Sequence, residues 1–86
     1  MQGQDNGFYN INDFVECLNG GCEVEFQYEG KSYWITHNKK GIIVYEAYNE
    51  ASEKQYKNSV DALGYPFGEK CLSDVFFDVK IISRSF

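Results

Sequence analysis

The sequence predicts one α+β domain over residues 1–86: an antiparallel β-meander of three strands plus a C-terminal strand, with short helices on one face, in the order α-β-β-β-α-α-β. Three observations predict this class. An apolar spacing typical of a helix is followed by a strictly alternating segment, and a second alternating segment mirrors the first across a turn. The 86 residues fit a single domain, and 43% hydrophobic residues are enough for a small core.

The first helix is predicted from apolar residues at positions 11, 14, 15 and 18, which follow the i, i+3, i+4, i+7 spacing of one helical face. Asn10 is a suitable N-cap, and Asp13 falls in the first turn, where a negative charge is favourable. Gly20 and Gly21 end the helix. Residues 1–9, which are polar and contain glycine, are predicted to be flexible.

A β-hairpin is predicted next, because apolar and polar residues alternate from Cys22 to Tyr28. A two-residue turn at Glu29-Gly30 pairs this strand with the next one. The pairs on the apolar face are then Phe26 with Tyr33, Val24 with Ile35, and Cys22 with His37. The pairs on the polar face are Gln27 with Ser32, Glu25 with Trp34, and Glu23 with Thr36. His37 is expected to be a structural residue, and a register slip of one residue would destroy the whole pattern.

The third strand, from Ile42 to about Tyr48, follows a turn over residues 38–41 and has two open registers. One register turns residues 43, 45 and 47 inward, and the other turns residues 42, 44 and 46 inward. We favour the first, because it leaves Glu46 on the polar face. Tyr48 then lies on that face as well.

The remainder of the chain is predicted to contain two short helices and one strand. Residues 49–57 are polar without a period and are predicted to form a loop. Ser59 is expected to cap a helix over residues 60–63, ended by Gly64, and residues 65–68 to form a turn. A helix over residues 70–77 and a strand over residues 79–85 complete the fold. The sequence leaves open which edge of the meander the last strand joins.

Charge and cysteine content exclude several classes of function. The net charge of -5 disfavours direct binding of nucleic acid or an anionic membrane surface. There is neither an apolar run long enough to span a membrane nor a secretory signal pattern. Three cysteines without an export signal are expected to be reduced thiols in a cytoplasmic protein. Without a Cys-x-x-Cys pair, and with one histidine, no metal or other cofactor is expected.

The candidate binding residues form an acidic, aromatic patch on the predicted polar face. Alternate residues of a strand lie about 6.6–7 Å apart, so carboxylates repeating along the hairpin could face a basic surface. Trp34, opposite Glu25, would be the central anchor of this patch. The predicted partner-binding residues are Glu23, Glu25, Glu29, Trp34, Glu46 and Tyr48. The alternatives are a merely solvated acidic face, and a Trp34 that a loop, the N-terminal segment or a second helix covers.

Two segments resemble small, mostly uncharacterised proteins of Gram-positive bacteria. Residues 18–35 contain Glu23-Val24-Glu25-Phe26-Gln27-Tyr28-Glu29-Gly30-Lys31-Ser32-Tyr33, which is similar to their pattern E-(hydrophobic)-E-F-x-Y-x-G-K-x-Y. Residues 68–75 resemble the start of a later helix in these proteins, although Glu69 separates Gly68 from Lys70. Such proteins are often encoded on phages, prophages or mobile elements. The resemblance covers about residues 11–82, and it implies a fold and a genetic context but no catalytic residue.

These observations favour a small acidic inhibitor or adaptor, encoded by a phage or mobile element, that binds a basic surface of a host or mobile-element protein. An anti-defence protein that blocks a nucleic-acid-handling enzyme, in the manner of an anti-CRISPR protein, is one form of this hypothesis. The alternative is an immunity protein or antitoxin that neutralises a toxin by stoichiometric binding. An enzyme is not expected, because the sequence has no recognisable catalytic motif. A homodimer through a sheet edge is a further alternative.

Overall fold

The computed structural model describes residues 10–85, so the segment 1–9, predicted to be flexible, lies outside the described residues. The helices are α1 (Ile11–Asn19), α2 (Ser59–Ala62) and α3 (Leu72–Val75), and a 3-10 turn over Phe76–Asp78 follows α3. The strands are β1 (Glu23–Tyr28), β2 (Lys31–Asn38), β3 (Gly41–Glu46), β4 (Asn49–Tyr56), β5 (Pro66–Phe67), β6 (Lys70–Cys71) and β7 (Lys80–Ser85). Within this part of the chain, no helix has the length and apolar character needed to cross a membrane.

The main sheet has five antiparallel strands in the order β4-β3-β2-β1-β7, and β5 and β6 form a separate small hairpin. The predicted α+β class and meander are confirmed, and the C-terminal strand joins the edge formed by β1. The predicted loop over residues 49–57 is wrong, because the meander continues into β4. Most β4 residues are exposed, so this edge strand shows none of the alternation that a half-buried strand requires.

The β1–β2 hairpin has the predicted register. Phe26 pairs with Tyr33, Val24 with Ile35, and Glu25 with Trp34. Glu29 and Gly30 have φ angles of 51° and 80°, the positive values at both central positions that a type I′ turn requires.

The favoured register of the third strand is wrong, and the other register that the sequence allowed is correct. Ile42 and Val44 face the core with exposures of 4% and 0%, whereas Ile43 and Tyr45 are half-buried on the opposite face. The polar character of Glu46 did not determine the register of β3, because this residue is not enclosed by the core. Glu46 lies at the end of the strand, where it stays partly exposed and its carboxylate accepts a hydrogen bond from Asn49 Nδ2 at 3.4 Å.

Gly41 lets β4 end close to the start of β3. Its φ angle is +133°, and a Cβ added there would lie 2.9 Å from the carbonyl oxygen of Lys57 and closer still to that of Tyr56. Both atoms belong to the backbone, so neither can rotate away as a side chain could. The last part of β4 can therefore pack against this position only because residue 41 has no side chain.

The core lies between the helices and one face of the sheet. Side chains of α1, α2, α3 and the 3-10 turn pack on the inward residues of β1, β2 and β3. The buried apolar residues are Phe14, Leu18, Cys22, Val24, Phe26, Tyr33, Ile35, Ile42, Val44, Ala62, Tyr65, Leu72, Val75, Phe76 and Val79. The other face of the sheet therefore has no described helix over it.

The helix boundaries confirm one predicted cap, correct another, and shorten one predicted helix. Asn10 caps α1 as predicted, with its Oδ1 accepting a hydrogen bond from Asp13 N at 2.8 Å. Asn58, and not Ser59, caps α2. Ser59 is buried and donates to Asn19 Oδ1 at 2.6 Å, which joins the start of α2 to the end of α1. The helix predicted over residues 70–77 is shorter, because β6 occupies its start and the 3-10 turn its end.

The expectation of three reduced thiols is wrong for two cysteines. Cys17 at the end of α1 and Cys22 just before β1 form a disulfide, with their Cα atoms 5.3 Å apart, and Cys71 is free. His37 Nε2 donates to Leu18 O at 2.9 Å, which agrees with the structural role predicted for it. Its Nδ1 is buried without a partner in the described part of the chain. The disulfide and this hydrogen bond both hold the end of α1 against the sheet.

Candidate functional site

The sheet face turned away from the helices is the candidate binding surface, and we call it the outer face. Strand residues alternate between the two faces, so the neighbours of buried positions 24, 35 and 44 lie on the outer face. Its central residues are Glu23, Glu25, Trp34, Thr36, Ile43 and Tyr45.

Trp34 lies at the centre of this face, in a row that crosses neighbouring strands. Glu25 is its cross-strand partner on β1, and Tyr45 is its partner on β3. All three side chains are half-buried, and Ser83 of β7 continues the row beyond Glu25. Directly paired residues have Cβ atoms about 4.5–5.5 Å apart, so these side chains are neighbours on the sheet. The indole of Trp34 therefore lies between a carboxylate on one side and a phenol on the other.

The structure brings together three of the six predicted binding residues. Glu23, Glu25 and Trp34 share the outer face, as the hairpin register predicts. Among the side chains that the structure describes, those of residues 10–83, no basic group forms an ion pair with either glutamate.

The other three predicted residues lie elsewhere, at the end of the sheet that carries the β1–β2 and β3–β4 turns. Glu29 is in the first of these turns, and Tyr48 is fully exposed in the second with a φ of 62°. The prediction that Glu46 and Tyr48 share the face of Trp34 is wrong, because it depended on the incorrect register of β3. Glu46 pairs with Tyr33, a core residue, and so belongs to the inner face.

An aromatic cluster occupies the inner face at this same end of the sheet. The ring of Phe67, on the β5–β6 hairpin, lies 5.0 Å from that of Tyr28, 5.1 Å from that of Tyr33 and 5.4 Å from that of Tyr65, measured between centroids. All three pairs meet edge to face, a favourable arrangement for aromatic rings.

Two phenols of this cluster, those of Tyr33 and Tyr65, have raised pKa values. Burial raises the pKa of Tyr33, and the nearby carboxylates of Glu46 and Glu29 raise it further. Burial also raises the pKa of Tyr65, while the side chain of Ser52 acts in the opposite direction. The phenol of Tyr65 donates a separate hydrogen bond to the backbone oxygen Ser52 O at 2.9 Å.

The lowered pKa of Asp74 has a structural explanation. The carboxylate of Asp74 accepts a hydrogen bond from Cys71 N at 3.0 Å at the start of α3, and this bond lowers the pKa of Asp74. Residues 10–85 contain no group of three or more His, Cys, Asp or Glu side chains placed to hold a metal ion.

Sequence reasoning missed Tyr45 and the aromatic cluster. The register favoured from the sequence turns Tyr45 inward, whereas the structure places it on the outer face together with Ile43, two residues earlier in β3. Phe67 was interpreted as part of a turn, and the only available signal was the dense aromatic content of residues 65–67. Comparison with protein-family models, with curated proteins and with solved structures found no match.

Proposed function

We propose that this chain is a small acidic protein-binding module, an inhibitor or adaptor, that docks its outer face on a basic surface of a partner protein. The observation that carries the proposal is the position of Trp34, half-buried between Glu25 and Tyr45 on a sheet face with no described helix over it. A central aromatic residue within a more polar rim is the arrangement in which protein interfaces concentrate their binding energy.

Charge supports a basic partner. The chain carries a net charge of -5, and the outer face contributes the carboxylates of Glu23 and Glu25, neither of which is ion-paired with a described side chain of residues 10–83. Such a surface accelerates encounter with a positively charged partner and makes association weaken as salt rises. An indole also binds a guanidinium group through its ring face.

The class of partner proposed is a nucleic-acid-handling enzyme, whose phosphate-binding groove displays the required arginines and lysines. Covering that groove would inhibit the enzyme without any catalytic step. This corresponds to the anti-defence role, encoded by a phage or mobile element, that the sequence resemblance suggests. A partner that proves to be a toxin would instead favour the immunity or antitoxin role.

The Cys17–Cys22 disulfide does not support the cytoplasmic location that the sequence predicts, since stable disulfides are typical of oxidising compartments.

A capture experiment with matched variants tests the function. The full chain is immobilised, proteins from a Gram-positive bacterial lysate are captured, and each captured protein is then purified and its dissociation constant measured. Trp34→Ala and Glu25→Lys should each weaken binding at least about tenfold, as expected for central interface residues. Glu16→Lys on α1 changes the net charge equally on the helix side and should leave the dissociation constant unchanged.

Three results would count against the proposed function. They are the recovery of no specific partner, an association that does not weaken with salt, and equal effects of Glu25→Lys and Glu16→Lys. Circular dichroism of each variant shows whether it retains the fold, so that a loss of binding can be assigned to the surface.

A further inference from the structure

A pocket of about 290 Å³ opens at the end of the sheet, beside the aromatic cluster. Its volume is close to the lower bound of roughly 300 Å³ for small-molecule sites. The pocket therefore suits a single side chain better than a cofactor. We call it the ring pocket, and it is lined by Tyr28, Glu29, Lys31, Tyr33, Phe67 and Gly68.

The ring pocket is formed where two turns meet without filling the space between them. Phe67 packs edge-on against Tyr28 and Tyr33 and forms an aromatic wall. Gly68 also lines the pocket, and a Cβ added there would meet no heavy atom within 4 Å. The space in front of the rings is thus open to an approaching group.

The charge around the ring pocket is suited to a cation. Glu29 lines it, and Lys31, which also lines it, forms no ion pair with Glu29 in the described part of the chain. Glu46 lies opposite Tyr33 on the next strand, which adds a second carboxylate near the same rings. The raised pKa of Tyr33, caused by burial and then by Glu46 and Glu29, is consistent with a negative potential there.

We propose that the ring pocket binds an arginine side chain of a partner protein, with the guanidinium group against Phe67 and Tyr28 and hydrogen-bonded to the carboxylate of Glu29. A planar guanidinium stacks on aromatic rings and donates two parallel hydrogen bonds to a carboxylate, which the ammonium group of lysine cannot do. Cation–π attraction adds to the ion pair. The ring pocket lies on the opposite side of the sheet from Trp34, so this inference does not depend on the outer face.

A titration followed by NMR tests the inference with a defined probe. Capped arginine (N-acetyl-arginine-N-methylamide) is added to the full labelled chain, and capped citrulline serves as the neutral analogue of the same shape. Arginine should shift the signals of the pocket residues saturably, with a dissociation constant on the order of 1–10 mM for so small a ligand. Citrulline at the same concentrations should not shift them.

Variants identify the groups responsible. Glu29→Gln should weaken arginine binding at least about fivefold, because it removes the charged acceptor. Phe67→Leu should weaken it as well by removing the ring. Glu16→Gln, the control on α1, should leave the dissociation constant unchanged. Lys31→Gln should leave binding unchanged or tighten it, because Lys31 repels a cation.

Each contrary outcome overturns the inference. Equal shifts with citrulline would mean that charge is not recognised, and unchanged binding by Glu29→Gln would remove the proposed ion pair. Weaker binding by Lys31→Gln would mean that the pocket selects an anion. Unchanged NMR signals of Trp34 and its neighbours in a variant would show that its sheet has remained folded.

Discussion

Separate replacement of Ile42 and Ile43 by alanine tests the register of β3, which decides whether Tyr45 or Glu46 lies beside Trp34. Ile42 is 4% exposed and faces the helices, so Ile42→Ala removes buried carbon atoms and leaves a cavity. Buried isoleucine-to-alanine changes cost about 2–5 kcal/mol. Ile43 is half-buried on the outer face, and its replacement should cost about 1 kcal/mol.

The two variants are matched in chemistry and adjacent in sequence, so their difference reports orientation. Urea unfolding followed by circular dichroism gives the free energy of unfolding of each variant. For 86 residues that free energy is roughly 4–13 kcal/mol, so Ile42→Ala removes a large share of it. A loss near 3 kcal/mol lowers the melting temperature by about 10–25 °C in a domain of this size. A larger loss for Ile43→Ala than for Ile42→Ala would refute the register and return Glu46 to the face of Trp34.

Three further predictions concern the disulfide, one cap and one buried hydroxyl. Unfolded protein should show one reactive thiol, that of Cys71, without reductant and three reactive thiols after reduction. Reduction should also lower the free energy of unfolding by about 2 kcal/mol, a modest loss because the loop that the disulfide closes is short. Asp74→Asn should destabilise the protein at neutral pH but not in acid, because a lowered pKa of Asp74 means that its carboxylate stabilises the fold until the falling pH protonates it. Tyr65→Phe should cost about 1 kcal/mol in urea unfolding, because it removes the hydrogen bond to Ser52 O.

Each of these predictions has a contrary result. Three reactive thiols before reduction would contradict the disulfide. An Asp74→Asn effect of the same size at both pH values would contradict the capping role of the carboxylate. A Tyr65→Phe variant as stable as the original protein would mean that its hydroxyl makes no net contribution.

The β1–β2 hairpin could be predicted to the residue because two independent patterns agree. Both strands alternate, and only the turn at Glu29-Gly30 places Val24 opposite Ile35 and Glu25 opposite Trp34. The outer-face position of Trp34 follows from the same register. A slip of one residue would move the apolar side chains from the buried inner face to the outer face, so the alternation of apolar and polar residues determines the register.

The rest could not be predicted, because the deciding contacts are tertiary. Ile42, Ile43 and Val44 are consecutive apolar residues, so alternation could not distinguish their faces. The edge strand β4 is exposed and polar and resembles a loop in composition. The ring pocket depends on the β5–β6 hairpin bringing Phe67 to Tyr28, a contact between residues far apart in the chain.

The missing side chain at Gly41 has a consequence for evolution of the sequence. Even the methyl group of alanine would collide with the backbone of Tyr56 and Lys57, so replacement of Gly41 by any larger residue is unfavourable. We expect a substitution at Gly41 to separate β4 from β3. The backbone N–H and C=O groups of β3 that pair with β4 would then be exposed and could pair with another chain. A single nucleotide change at this codon is therefore expected to promote aggregation through the edge of β3, although it replaces no residue of either candidate surface.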